Sequence, residues 1–206
     1  MSGRCAILID ASERGRTLVA RVEGEPWRTR WLEVSDAHLD TGLPVLLRTA
    51  LDGVPEAGLD AVVVTMGPGS YTGVRAAAAA AAGLAAALGV PLHGLSSLEL
   101  AAAGAAPGTG TVWAAVDVGR GRLAVARVVL DGASAVLGGD APPLGVEAGW
   151  APPDGSEALR LARPGPGEVA RAAATAVAVA LARPPLDLTT DEPATVRGVT
   201  ASDPHV

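Results

Sequence analysis

Apolar runs alternate with polar and glycine-rich breaks along this chain, and the pattern predicts strands that alternate with helices. Short runs rich in β-branched and aliphatic residues predict strands at 6–9, 17–22, 27–34 and 61–65. Longer stretches with apolar residues three or four positions apart predict helices at about 36–51, 72–88, 96–103 and 167–181. Further strands are predicted at 91–94, 112–116 and 123–130. The order of these elements is typical of an α/β protein.

A strand–turn–strand unit occurs twice among the predicted elements. Each places an aspartate, Asp10 or Asp117, at the end of an apolar strand before a turn back into another strand. Between them, residues 105–110 are rich in Gly, Pro and Thr and predict a hinge. We therefore expect an N-terminal lobe at 1–104 and a smaller C-terminal lobe at 105–206. A proline- and glycine-rich connector is expected at 138–155, and an irregular tail from residue 184.

A glycine loop follows the strand at 61–65. Gly67 and Gly69 break the strand, and either Ser70 or Thr72 can cap the next helix. Backbone N–H groups at such a helix start can hold an anion, so one interpretation is a phosphate site. The other is a tight strand-to-helix turn. The loop matches neither a P-loop, whose lysine it lacks, nor the spacing of a dinucleotide fingerprint.

Composition narrows the classes of function. The net charge is −6 and all 16 basic residues are arginine, which argues against autonomous nucleic-acid binding and removes lysine chemistry. The single cysteine, Cys5, lies in a predicted buried strand and has no second cysteine with which to form a disulfide. Neither a signal peptide nor a membrane span is expected, so the predicted location is the cytoplasm.

Candidate catalytic groups are scarce. The three histidines, His38, His93 and His205, are far apart and none has the spacing of a helical metal site. Ser70 lies outside a Gly-x-Ser-x-Gly elbow, and nothing marks a histidine that would activate it. We therefore predict no catalytic residue and no metal ligand, and proteolysis is disfavoured.

Several segments together resemble the TsaB (YeaZ) family, which belongs to the Gcp-like superfamily labelled as M22 glycoproteases. Residues 67–75 read GPGSYTGVR and are similar to the family's GPGSFTGxR-like loop. Residues 7–12, 92–99 and 114–117 resemble the family's first strand and turn, its capped helix and its AxxDA segment. The resemblance covers about residues 6 to 130, while residues 192–197 match the family's PxYLR element only loosely.

The resemblance implies a duplicated actin-like ATPase (ASKHA, ribonuclease H-like) fold, with two lobes of mixed sheet and helices. It also implies a non-catalytic role in making threonylcarbamoyladenosine in tRNA. In that family the catalytic partner TsaD binds ATP and the metal, TsaE docks on the complex, and TsaC supplies the activated threonylcarbamoyl group. Contact with tRNA is then expected only through the complex, and the free chain could be a homodimer.

An actin-like ATPase or phosphotransferase that acts alone is the alternative. The turns at Asp10 and Asp117 and the loop residues Gly67, Gly69 and Ser70 would then hold the nucleotide, and these are weak candidates. For the scaffold role, the resemblance and the apolar character of the two helices predict a partner interface. Its candidate residues are Leu39, Leu43, Leu46, Leu47, Thr72, Arg75, Ala76, Ala79 and Gly83.

Overall fold

A mixed five-stranded sheet organises the first half of the chain. The computed structural model describes residues 4–36, 39–55, 58–104, 109–131, 134–138, 144–147, 149–155 and 166–187. The first sheet has the strand order β3-β2-β1-β4-β5. Its antiparallel strands β1, β2 and β3 are followed along the chain by β4 and β5, with β4 parallel to both β1 and β5. The strands are β1 (Cys5–Asp10), β2 (Thr17–Glu23), β3 (Arg28–Ser35), β4 (Ala61–Thr65) and β5 (Leu92–Leu95).

Both faces of this sheet are buried, because the central strands are apolar at successive positions. Ile7 and Ile9 of β1 face one core, which also contains side chains of helices α1 (Leu39–Asp52) and α2 (Tyr71–Leu88). Ala6 and Leu8 face the other core, together with side chains of helices α3 (Ser97–Ala103) and α4 (Pro166–Leu181). The two pairs of helices therefore cover opposite faces of the first sheet.

The second sheet is antiparallel throughout the part of the chain that the structure describes. Strand β6 (Thr109–Gly119) pairs with β7 (Arg122–Asp131), and β7 also pairs with β8 (Ser134–Leu137) and β9 (Leu144–Glu147). Side chains of α3 and α4 share one core with both sheets. The predicted α/β fold class is confirmed, with one mixed and one antiparallel sheet among the described residues.

Most predicted elements agree with the structure to within three residues at each end. One difference is α1, which begins at Leu39 rather than at 35–36, because Ser35 still belongs to β3. The other is β9, which lies inside the segment expected to be a connector, while β8 was not predicted. Both strands are four residues long, and their pairing with β7 is a nonlocal interaction that a local pattern does not record. His38, His205 and residues 105–108 and 192–197 lie outside the described residues.

Candidate functional site

The glycine loop packs against the first turn of the chain. It joins β4 to α2, and Gly67 has a φ of +89°, a conformation that favours glycine. A Cβ atom added at Gly69 would collide with Ser12, and one at Gly73 would collide with the carbonyl oxygen of Ala11. The signature glycines therefore allow close backbone approach between the loop and the turn that follows β1.

Polar groups of the loop bind other groups of the same chain. The Ser70 N–H donates to the Ser12 carbonyl at 2.6 Å, and the Ser70 hydroxyl caps α2 by accepting from the Gly73 N–H at 3.4 Å. The Gly67 carbonyl accepts from the Ser97 N–H at 2.9 Å and from the Ser96 hydroxyl at 3.3 Å. These contacts favour the tight-turn interpretation, and phosphate binding by Gly67, Gly69 and Ser70 stays a prediction.

The two aspartates that mark the repeat occupy different environments. Asp10 is 6% exposed and its Oδ1 accepts from the Thr65 hydroxyl at 2.5 Å and from the Ser12 N–H at 3.0 Å. Asp117 is exposed and its Oδ1 accepts from the Gly119 N–H at 2.6 Å. Each carboxylate holds the start of its turn, and a role in binding a nucleotide stays a prediction for both.

The predicted partner interface divides into buried and exposed residues. Leu43 and Leu46 are 4% and 2% exposed and pack in the core between α1, α2 and the first sheet. The prediction that Leu43 and Leu46 belong to a partner interface is therefore wrong. The regular spacing of apolar residues in α1 reflects the face that packs on the chain's own sheet. Leu39 and Leu47 are half-buried against the same core. Thr72, Arg75, Ala79 and Gly83 are exposed and Ala76 is half-exposed, so the α2 part of the interface does lie at the surface.

A single cation stands at the start of that α2 surface. The Arg75 guanidinium lies 4.4 Å from the ring centroid of Tyr71, which is itself 59% exposed. Stacking of this kind orients a guanidinium while leaving its N–H donors available. Arg75 is the fifth residue of α2, next to the first turn, and the helix dipole at this end disfavours a cation.

Helix α2 is long and apolar enough to cross a membrane, judged by length and composition alone, and 28% of it is buried. Its mean hydropathy in that window is only 1.2, because alanine is a weak hydrophobe. Its buried residues pack on the first sheet, among them Ala77, Ala81 and Ala85. In this structure it lies at the surface of the α/β domain with its inner side on the first sheet.

Metal ligands do not cluster in the described part of the chain: no group of three His, Cys, Asp or Glu residues could hold an ion there. His93 is 6% exposed, and its Nδ1 lies 3.2 Å from the Ala180 carbonyl oxygen, so it joins β5 to α4. Cys5 is fully buried, and burial raises the pKa of its thiol to about 11, as expected for a core residue.

Comparison with known families decides where the chain belongs. A family model described as TsaD, tRNA N6-adenosine threonylcarbamoyltransferase, matches residues 33–181. The chain belongs to this family. Within it, the resemblance to TsaB (YeaZ) proteins that the loop indicated is confirmed.

Two solved structures are similar to this member of the TsaD family. One is described as an uncharacterised protein with similarity to peptidase YeaZ from Pseudomonas aeruginosa; it is 28% identical, has a TM-score of 0.59, and the match covers 73% of this chain and 70% of that one. The other is YeaZ from Pseudomonas aeruginosa, 24% identical with a TM-score of 0.68 over 87% of this chain and 92% of that one. The second likeness shows a shared fold.

Curated relatives match a shorter segment. An uncharacterised protein of Mycobacterium tuberculosis is 45% identical over 64 residues, which are 31% of this chain and 30% of that protein. One of Mycobacterium leprae is 44% identical over 64 residues, or 18% of its length. The chain thus spans less than a third of the length of these relatives.

Proposed function

We propose that this chain is the non-catalytic scaffold subunit of a complex that transfers a threonylcarbamoyl group to the adenosine next to the anticodon of tRNA. Its role is to bind and activate a catalytic TsaD subunit, which holds the ATP and the metal. TsaE then joins the same complex, TsaC supplies the activated group, and the assembly works in the cytoplasm. Family membership supports the pathway, and the surface of α2 supports the scaffold role.

The observation that carries the proposal is the exposed face of α2. Five of its 18 residues are buried, and the opposite face presents Thr72, Ala79 and Gly83 at spacings of seven and four residues, which place them on one side of the helix. A Cβ atom added at Gly83 would meet no atom within 4 Å, so the face is open there. Small residues let a partner helix approach closely, and burying their apolar surface stabilises association.

Arg75 adds specificity to this face. It is the one charge of α2, and Tyr71 holds its guanidinium in place. A carboxylate of TsaD is the partner best matched to a preoriented guanidinium, because the two groups form paired hydrogen bonds. A second copy of this chain would bring the same cation and no carboxylate from α2, so the heteromeric contact is favoured over the homodimer.

The decisive experiment mixes the purified chain with TsaD of the same organism and measures the mass by light scattering after size exclusion. We expect a defined hetero-complex with the unmodified chain. Ala79→Arg places a long cation in the centre of the exposed α2 face and should abolish the complex. Val129→Arg is the matched control, because Val129 is 43% exposed and lies on the second sheet.

Two results would contradict the proposal. One is a complex that forms equally well with Ala79→Arg, provided that circular dichroism shows both variants folded. The other is steady ATP turnover by the chain alone with no complex, which would favour the alternative of an independent actin-like ATPase or phosphotransferase. Turnover that appears only after TsaD is added supports the scaffold role.

A further inference from the structure

The same tripeptide occupies both hairpin turns of the repeated unit. Residues 14–16, between β1 and β2, read Arg-Gly-Arg. Residues 120–122 read the same and comprise the two-residue turn after β6 and the first residue of β7. The central glycines, Gly15 and Gly121, have nearly equal φ angles of +71° and +72°. In both units the preceding aspartate accepts the N–H of the residue two positions later. Each half thus places two arginines around a glycine in the left-handed conformation, after a six-residue connection in the first half and a two-residue turn in the second.

These two turns meet in the structure. A Cβ atom at Gly119 would lie 3.2 Å from Nη2 of Arg14, so the Arg14 guanidinium of the first turn lies against the second turn. Gly119 has a φ of +87°, and Arg120 follows it with a φ of +57°. The contact therefore places Arg14 directly beside the backbone that carries Arg120.

The cations at this junction lack acidic partners of their own. Among the described residues, no carboxylate oxygen lies within 4.0 Å of the Arg14 or Arg120 side-chain nitrogens, whereas Arg16 pairs with Glu13 at 2.9 Å. The nearby carboxylates Asp10 and Asp117 already accept hydrogen bonds within their own turns. Both arginines are exposed, so their guanidinium groups are accessible to an anion.

We propose that the two Arg-Gly-Arg turns form a clamp for phosphate groups of an RNA backbone, with Arg14 and Arg120 as its contacts. A guanidinium binds phosphate through paired hydrogen bonds, and arginine is the residue best suited to that contact. A free nucleotide, which needs an enclosed site, fits less well. The cavity of about 350 Å³ that Arg14 borders is also lined by Glu13 and Asp36, and Arg120 is not among its lining residues. The clamp rests on the proposed function, since tRNA is the RNA that the complex modifies.

The test uses the free chain at low salt, so it does not depend on TsaD. A chain of net charge −6 is expected to bind RNA only weakly by itself, and low salt strengthens local phosphate contacts enough to measure them. Fluorescence anisotropy measures binding to labelled tRNA as salt rises from about 20 to about 200 mM, a range in which phosphate contacts weaken steeply. The test variant is Arg14→Ala/Arg120→Ala, and Arg28→Ala/Arg30→Ala is the control. Both variants remove two exposed arginines, but Arg28 and Arg30 lie on β3. Matched melting temperatures establish that both variants are folded.

We expect the test variant to bind about tenfold more weakly at the lowest salt and to flatten the plot of log affinity against log salt by about one to two units. The control should retain the slope of the unmodified chain. Equal losses in both variants, or no binding by the unmodified chain at the lowest salt, would overturn the clamp. Calorimetry with ATP gives a further check. If the unmodified chain binds ATP and the test variant does not, the ligand of the two arginines is a nucleotide and the RNA clamp is wrong. A failed clamp leaves the light-scattering result with TsaD unaffected.

Discussion

Glu99 is a buried charged residue whose carboxylate accepts four hydrogen bonds. It is 2% exposed, and its carboxylate accepts from the backbone N–H groups of Ser96 at 2.9 Å and Leu137 at 3.0 Å. Arg183 donates two further hydrogen bonds, at 2.7 and 3.0 Å. Glu99 lies in α3, Leu137 in β8, and Arg183 just after α4. One side chain therefore joins the capped start of α3 to two elements from the second half of the chain.

These contacts make Glu99 a source of pH-dependent stability. Burial disfavours the ionised carboxylate, but the hydrogen bonds from Arg183, Leu137 and Ser96 outweigh it and lower the pKa of Glu99. A lowered pKa means that the stabilisation is complete above the unfolded-state pKa of about 4.3 and is lost as the pH falls through the folded-state value. We expect Glu99→Gln to reduce the free energy of unfolding at pH 7 by about 2 to 4 kcal/mol.

Urea unfolding at several pH values between about 7 and about 3 measures both effects. The unmodified chain should lose stability more steeply on acidification than Glu99→Gln, because the variant has no carboxylate to protonate at this position. Glu147→Gln is the matched control, since Glu147 is exposed. Parallel pH profiles for the unmodified chain and Glu99→Gln would contradict the assignment.

At the level of elements, two glycines of α2 should respond oppositely to the same substitution. Gly73 is buried against the carbonyl oxygen of Ala11, so Gly73→Ala forces the glycine loop away from the first turn. We expect that change to cost about 1 to 3 kcal/mol, as overpacking does. Gly83 faces open space in the helix interior, and Gly83→Ala should stabilise the chain by about 0.5 to 1 kcal/mol through helix propensity.

Thermal and urea unfolding of the two variants measures this difference. Both variants add one methyl group to the same helix, so each serves as the control for the other. Equal destabilisation by both would show that the loop and the first turn do not require the close approach at Gly73. The comparison also separates packing from docking, since Gly83→Ala leaves the proposed partner face apolar.

How far the elements could be predicted depends on whether their signals are local. Strand β4 was predicted with its exact bounds and α2 to within one residue, because a β-branched run, the Ser70 cap and Gly89 in the left-handed conformation mark their ends. Strands β8 and β9 depend on pairing with β7, which the local pattern does not record. Elements whose ends carry local signals could therefore be predicted, and strands that depend on a distant partner could not.

The candidate site shows the same division. Periodicity identified the apolar face of α1, but it could not distinguish a face that covers the chain's own sheet from one that meets a partner, and Leu43 and Leu46 proved to be core residues. The α2 face was found because that helix is apolar on all sides. The repeated Arg-Gly-Arg segments stand in the sequence, but the contact between the two turns is tertiary and no local pattern records it.

On the scale of the whole molecule, the two halves of the chain share one core. Side chains from β1, β2 and β4 of the first sheet and from β6, β7 and β8 of the second belong to a single buried cluster that α3 and α4 complete. Specific contacts of α4 and the chain beyond it support this arrangement. The Thr29 hydroxyl donates to the Ala170 carbonyl at 2.7 Å, and the Leu186 N–H donates to the Leu92 carbonyl at 2.8 Å.

A shared core should make unfolding cooperative, because loss of α4 would expose apolar side chains of both sheets. The four tryptophans allow a direct test, since Trp27 and Trp31 lie in the first half and Trp113 and Trp150 in the second. One variant, Trp113→Phe/Trp150→Phe, reports on the first half, and Trp27→Phe/Trp31→Phe reports on the second. In each variant the urea midpoint by fluorescence should coincide with the midpoint by far-ultraviolet circular dichroism.

An earlier fluorescence transition for Trp113 and Trp150 would mean that the second half opens by itself. In that case the two turns of the clamp belong to parts of the chain that unfold separately. Coincident midpoints mean that the same folded core holds both turns in place.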